Sequence, residues 1–373
     1  MAPEVVCSFV TDWSEQTQKP TSMGCCVVTI LLAILTSACG AHVGGSQVPD
    51  SVQGETDDHA VSLGSVVAIL DDAYLPTALA LIDSALTHIK VVHFEMHNDA
   101  VIDKVVVALK AACARGVDVT VLLEGELDFN SGRVAELTAA GCRARIDSPA
   151  KYLHAKLLVV DSRRALLGSS NLSHTSVQQN HESNLRVDEP QVASWFDAYA
   201  DALWQNDTIV PTLPELEVEG IIPYADGGYP GLLHTLVTQA QNRVWIVSYG
   251  MNLSSVDDQV NLLADARARG VDVRVLLERS SWNNGLTELN QRATAALLAL
   301  GIEAQQEHPD IVTHAKITIV DDQIIVGTNN WGYGGFWGYH EVGVVTSYTK
   351  AVTAVADYFL TLWAAAAEYN ETR

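Results

Sequence analysis

Two short stretches of this sequence read alike: "LHAKLLVVD", residues 153–161, and "THAKITIVD", residues 313–321. In each, a histidine is followed two residues later by a lysine, and that lysine five residues later by an aspartate. The chain has only eight lysines in 373 residues, so chance does not account for two such pairs at matched spacing. The match continues: "GSSN" (168–171) follows the first stretch, "GTNN" (327–330) the second, and a glutamate stands eleven residues past each asparagine, Glu182 and Glu341. These residue types define a chemistry. An imidazole can attack or move a proton near neutral pH, and a lysine shields the negative charge that repels nucleophiles from a phosphodiester. A turn of glycine, hydroxyl residue and asparagine offers donors to phosphate oxygens, and a carboxylate fixes the tautomer of a catalytic imidazole. The candidate catalytic residues are therefore His154, His314, Lys156 and Lys316. Ser169, Asn171, Thr328 and Asn330 are the candidates for holding the phosphate, and Glu182 and Glu341 for orienting the histidines.

Elements must position these groups, and strand periodicity suggests how. On a β-strand alternate side chains share a face. His154 and Lys156 then project together with Leu158 and Val160, and His314 sits with Lys316 in the second copy. Asp161 and Asp321 fall on the opposite face, where local bracing by hydrogen bonds is expected. The duplication runs through the chain. "VVAILDDAYLPTALALIDSALTHIKVVHFEM" (66–96) aligns without a gap on "IIPYADGGYPGLLHTLVTQAQNRVWIVSYGM" (221–251), and "ARGVDVTVLLE" (114–124) echoes "ARGVDVRVLLE" (268–278). A repeat of about 155 residues exceeds any solenoid period and reads as a duplicated domain. Within each copy, apolar strands alternate with amphipathic helices that end at Gly116 and Gly270, placed as C-caps. That alternation predicts an α/β sheet covered by helices on both faces. The expected domains are residues 63–208 and 221–373, joined by a linker at 209–220 that carries prolines and glutamates.

"HAKLLVVDSRRALLGSSN" and "HAKITIVDDQIIVGTNN" resemble the paired HxKxxxxD…G[ST]xN motifs of the phospholipase D superfamily, over about 310 residues from near Val66. The resemblance implies a duplicated phospholipase D-like α/β fold, two pseudo-symmetric α/β/α domains sharing one active site at their interface. It also implies a two-step reaction through a phosphohistidine, with His154 as nucleophile and His314 as general acid/base. No metal or cofactor is implied, and one chain carrying both motifs suffices as a monomer. Superfamily members act on phospholipids, by hydrolysis or phosphatidyl transfer, or on nucleic acids.

Composition bears on that choice. Apolar residues make up 48% and charged residues 18%, an ordinary globular mix. The net charge of −23 weighs against a nucleic-acid partner, whose affinity comes from cations displacing counterions. Residues 27–35 form an apolar run of signal-peptide length, ending in "LTSACG" (35–40), which resembles a bacterial lipobox. The expectation is a signal peptide over 1–38, lipid attachment at Cys39 and a Gly/Ser/Asp-rich tether over 39–62. Such a protein is extracytoplasmic, membrane-anchored or secreted. Cys113 and Cys142 either pair there or remain buried thiols. "NNWGYGGFWGYHE" (329–341) reads as an apolar lip for acyl chains or as a loop packed over the core, with Trp282 a further rim candidate. His181 and His340, each preceding a glutamate, are candidates to line the site. His93, His97, His174 and His234 lack partners in the repeat and read as structural or surface residues. The expected activity is a phospholipase D-type phosphodiesterase on phospholipid head groups. The alternatives are an extracytoplasmic nuclease of the same superfamily and a non-catalytic lipid-binding lipoprotein.

Overall fold

The computed structural model describes residues 66–371; the expected leader, Cys39 and the tether lie outside the described residues. The first half contributes β1 (Val66–Leu70), α1 (Tyr74–Asp83), β2 (His88–His93), α2 (Asp103–Ala114), β3 (Asp118–Leu123), α3 (Asp128–Ala139) and β4 (Arg143–Ile146). It continues with β5 (Lys156–Val160), β6 (Arg164–Gly168), α4 (His174–Gln178), β7 (Ser183–Val187) and α5 (Pro190–Gln205). The second half opens with β8 (Ile221–Ala225), α6 (Gly228–Gln239), β9 (Arg243–Ser248), α7 (Asp257–Ala268), β10 (Asp272–Leu277), α8 (Asn284–Ala299) and β11 (Glu303–Gln306). It closes with β12 (Ile317–Val320), β13 (Gln323–Gly327), β14 (Val342–Thr346) and α9 (Thr349–Glu371).

Each half builds a seven-stranded sheet of one topology: β1-β7-β6-β5-β2-β3-β4 in the first, β8-β14-β13-β12-β9-β10-β11 in the second. β2, β3 and β4 run parallel, as do β9, β10 and β11, while the other neighbours pair antiparallel. The parallel part comes from strand–helix–strand units, and hairpins at β5–β6 and β12–β13 add the antiparallel part. Gly116 and Gly270 adopt positive φ (89° and 94°) just past the C-cap residues Arg115 and Arg269 of α2 and α7, the left-handed exit that glycine allows without strain.

Three apolar clusters hold these layers. One fills each half on the outer side of its sheet, as Leu109, Val121 and Leu158 do in the first and Leu263, Val275 and Ile325 in the second. The third joins the halves: Leu157, Val159 and Phe196 pack in one cluster with Ile317, Ile319 and Phe359. Helices α5 and α9 therefore lie between the sheets. Tyr199 of α5 donates to Asp226 beside β8 (2.8 Å), and Tyr358 of α9 to Asp71 beside β1 (2.5 Å). The halves are thus built into each other by apolar burial and exchanged hydrogen bonds. Residues 206–217, between α5 and β8, form neither helix nor strand. Cys113 and Cys142 form a disulfide, which decides between the two sequence-based alternatives.

Candidate active site

The two histidines do not sit inside their strands. β5 begins at Lys156 and β12 at Ile317, so each histidine precedes its ladder. There the backbone crosses to the other half: His154 N–H donates to the carbonyl of His340 (3.0 Å), and His314 N–H to that of His181 (2.9 Å). This crossing brings the glutamate that follows each of those residues onto the opposite histidine. Nδ1 of His154 lies 2.9 Å from Oε1 of Glu341, and Nδ1 of His314 lies 3.1 Å from both carboxylate oxygens of Glu182. Each orienting carboxylate is supplied by the other half, a pairing that sequence left open.

Lys156 and Lys316 are almost wholly buried, 1% and 4% exposed. Each ammonium donates to the carbonyl of its own motif's histidine, Lys156 to His154 (2.7 Å) and Lys316 to His314 (2.5 Å). Each also lies against an aromatic face, Lys156 4.7 Å from the centroid of Phe94 and Lys316 5.4 Å from that of Tyr249. The same rings touch the imidazoles, Phe94 that of His154 (5.2 Å) and Tyr249 that of His314 (4.9 Å). Phe94 and Tyr249 occupy one column of the repeat alignment, the signal that could have found them. Tyr152 and Tyr339 add rings on the His154 side only.

Ser169 and Thr328 differ from expectation. Read from sequence as phosphate ligands, both are wholly buried, and their hydroxyls donate to the glutamates: Ser169 to Glu182 Oε2 (2.5 Å), Thr328 to Glu341 Oε2. A hydroxyl whose one proton is so committed holds the orienting carboxylate instead of a substrate. Asn171 and Asn330 are half-buried, and in both the amide oxygen lies buried without a partner. That matched pair of unsatisfied amides is the kind of group a ligand oxygen would satisfy in the flipped orientation.

Asp161 and Asp321 stand apart, as alternation suggested. Asp161 accepts the N–H groups of Leu86, Thr87 and His88, and Asp321 those of Gln241, Asn242 and Arg243. Burial opposes ionisation at Asp161, but these donors hold its carboxyl down at about 2. His340 does not line the site: it is fully buried, with Nδ1 3.2 Å from Asp226 and Nε2 2.9 Å from the carbonyl of Asp207. Asp226 also accepts the Glu341 N–H (3.0 Å), and Asp71 that of Glu182 (2.9 Å), so the carboxylates at the repeat's matched Asp71 and Asp226 fix the glutamate backbones. His181 lies 3.7 Å from Asp71 at the margin. His93, read as structural or surface, is buried directly across the ladder from Lys156, and the repeat puts Ser248 in its column.

The electrostatics favour an uncharged imidazole beside charged lysines. Burial, then the charges of Lys156 and Lys316, hold His154 well below the ordinary imidazole value. Burial also lowers His314, partly offset by Glu182. Burial pushes Lys156 down to about 8 and Lys316 to about 7. Although burial opposes it, His314, Lys316 and Ser169 hold Glu182 at about 2. Glu341 goes the other way, raised by burial with Asp226 adding like charge, while Lys156, Lys316 and the Thr328 hydroxyl favour its ionised form. Because kcat/KM reports free-enzyme ionisations, it should fall as pH rises through 7 to 8, where the lysines lose protons. Its acid limb should lie below the ordinary imidazole range. A kcat/KM profile on a soluble phosphodiester checks both limbs.

Residues 78–204 and 233–363 each match the family described as cardiolipin synthase, PLD-like domain. The chain belongs to that phospholipase D-like family. Among curated relatives, an uncharacterized protein of Streptococcus mutans is 25% identical over 289 residues, covering 68% of this chain and 62% of that protein. A cardiolipin synthase A of Serratia proteamaculans is 24% identical over 311 residues, covering 74% of this chain and 64% of the synthase. The chain therefore spans under two thirds of the length of these relatives. A solved structure of phosphatidylserine synthase from Haemophilus influenzae matches with a TM-score of 0.65 at 12% identity, over 80% of this chain and 85% of that one. That likeness establishes the fold: two α/β halves of the phospholipase D type.

Proposed function

We propose that this protein is a phospholipase D-type phosphodiesterase acting on phospholipid head groups. The observation that carries the reading is the exchanged pairing, His154 with Glu341 and His314 with Glu182, flanked by two buried lysines. One imidazole, His154 by family resemblance, attacks phosphorus and forms a phosphohistidine. The other, His314, protonates the departing alcohol and then activates the water or alcohol that resolves the intermediate. Lys156 and Lys316 stabilise the charge building on the phosphoryl oxygens, each by roughly 4 kcal/mol at contact distance for an effective dielectric near 20. Asn171 and Asn330 donate to the same oxygens.

A lipid substrate is supported by the aromatic segment beside the second motif. Its residues divide: Trp331 and Phe336 are buried core, whereas Tyr333 and Trp337 are exposed, as is Trp282 (63%). Tyr339 of the same segment reaches His154 (6.1 Å between ring centroids). Exposed aromatic rings favour the membrane–water interface. Replacing Tyr333 and Trp337 together by alanine should lower turnover of phosphatidylcholine vesicles about tenfold while leaving a short-chain soluble diester within about twofold. Equal loss on both substrates would remove the lip from the account. The disulfide between Cys113 and Cys142 supports an extracytoplasmic location, where such bonds persist. Lipid attachment at Cys39 would hold the site at the bilayer surface.

The deciding experiment incubates the protein with phosphatidylcholine, phosphatidylglycerol and single-stranded DNA. Release of phosphatidate or formation of a phosphatidyl-transfer product is expected. Strand cleavage without lipid turnover would replace this reading with the nuclease.

A further inference from the structure

Behind each catalytic histidine lies a pair of buried carboxyl groups with no part in the chemistry described above. Glu124 directly follows β3 and Glu278 directly follows β10; Asp147 directly follows β4 and Glu307 directly follows β11. None of the four is more than 7% exposed. The pairs are built alike, since Asp147 N–H donates to the Leu123 carbonyl and Glu307 N–H to that of Leu277, both at 2.9 Å. In each pair the glutamate at the end of the third strand reaches the residue just before the catalytic histidine. Leu153 N–H donates to Glu124 Oε2 (2.5 Å), and Thr313 N–H to Glu278 Oε2 (2.6 Å). Oδ2 of Asp147 and Oε1 of Glu278 are buried without a hydrogen-bond partner. Two adjacent buried carboxyls cannot both ionise cheaply, so ionisation is disfavoured in both members of each pair.

We propose that Glu124 and Glu278 are positioning residues of the reaction: each anchors the backbone before a catalytic histidine and presents a buried negative charge to the lysine of the same motif. This rests on the phosphodiesterase reading above. The charge reaches the lysines, for Glu124 is among the groups that favour the protonated form of Lys156, and Glu278 does the same for Lys316. Burial, then the neighbouring carboxylate, raises Asp147 to about 8; burial with Glu307 raises Glu278 to about 7. The other charged or titratable groups facing the first pair are Glu126, Asp207, Arg145, Tyr152 and Tyr339. Those facing the second are His181, His308, Tyr249, Tyr358 and Lys316.

Glu278→Gln separates this role from a merely structural one. The glutamine carbonyl still accepts the Thr313 N–H, but the charge is gone. The alkaline limb of kcat/KM on bis(p-nitrophenyl) phosphate should move down by about half a pH unit or more, because Lys316 loses its proton earlier. Stability should move the other way. Glu278 has a raised folded-state value, so the folded chain binds more protons than the unfolded one between about 4.5 and about 7, and wild-type stability falls as pH rises across that window. Glutamine has no such loss, so the thermal midpoint at pH 8 should match or exceed wild type. Glu278→Ala, which loses the acceptor as well, should lower kcat about tenfold or more. A Glu278→Gln protein with wild-type kcat and an unmoved alkaline limb overturns the inference and leaves the phosphodiesterase reading standing. A wild-type chain inactive on every phosphodiester removes that reading and this inference with it.

Discussion

His154→Ala and His314→Ala are each expected to lower turnover of a phosphodiester by about 10⁴-fold or more, and the double variant by no more than either alone. The expectation follows from the division of labour. Without the attacking imidazole no covalent intermediate forms, and without its partner the alcohol must leave unprotonated. Residues that act as one unit are strongly non-additive, so losing the second after the first costs little more. Both rings are buried against carboxylates of the other half, so alanine also leaves Glu341 or Glu182 without its imidazole. His154→Gln and His314→Gln, which retain a polar group there, distinguish loss of chemistry from loss of fold. Rates on a chromogenic diester, alongside thermal midpoints, read both. Near wild-type turnover in either alanine variant would remove the two-histidine mechanism.

Glu182→Gln and Glu341→Gln should each reduce kcat by about 10²- to 10⁴-fold with little change in KM. An ionised carboxylate beside Nδ1 accepts its proton and leaves Nε2 bare to attack, or to be charged as an acid. A glutamine amide can turn its NH₂ toward Nδ1 instead, moving the ring proton to Nε2, the wrong tautomer. The pairing is exchanged, so the effect on each histidine comes from the half of the chain that does not carry it. Glu341→Gln should therefore impair the step performed by His154, and Glu182→Gln that performed by His314. Burst kinetics with a good leaving group assigns them: the variant that impairs attack loses its burst, and the one that impairs resolution keeps it. If both variants kept wild-type kcat, the carboxylates would be structural only.

Much of this architecture was legible in the sequence because the duplication wrote each functional residue twice. The α/β alternation, the glycine helix exits and the separation of Asp161 and Asp321 from the histidines all follow from local periodicity. What escaped depends on contacts between distant segments. Alternation shows which residues of a strand share a face, but His154 and His314 precede their strands and donate hydrogen bonds to the other half. Which glutamate meets which histidine therefore could not be read. Ser169 and Thr328 carry the right group for a phosphate, and only their burial against Glu182 and Glu341 redirects them. The aromatic segment beside the second motif was ambiguous for a physical reason: its π-helical turn, Gly334–Gly338, sends Phe336 inward and Trp337 outward. Glu124 and Glu278 close the most similar stretch of the repeat, yet a charged residue ending an apolar strand reads as a solvated edge until its burial is seen.

If phosphorus passes through a histidine, the stereochemical course of hydrolysis records it. A diester made chiral at phosphorus by sulfur and oxygen isotope substitution should be hydrolysed with net retention of configuration, because two in-line displacements each invert it. Net inversion would mean that water attacks phosphorus in a single step, and neither imidazole could then be the nucleophile.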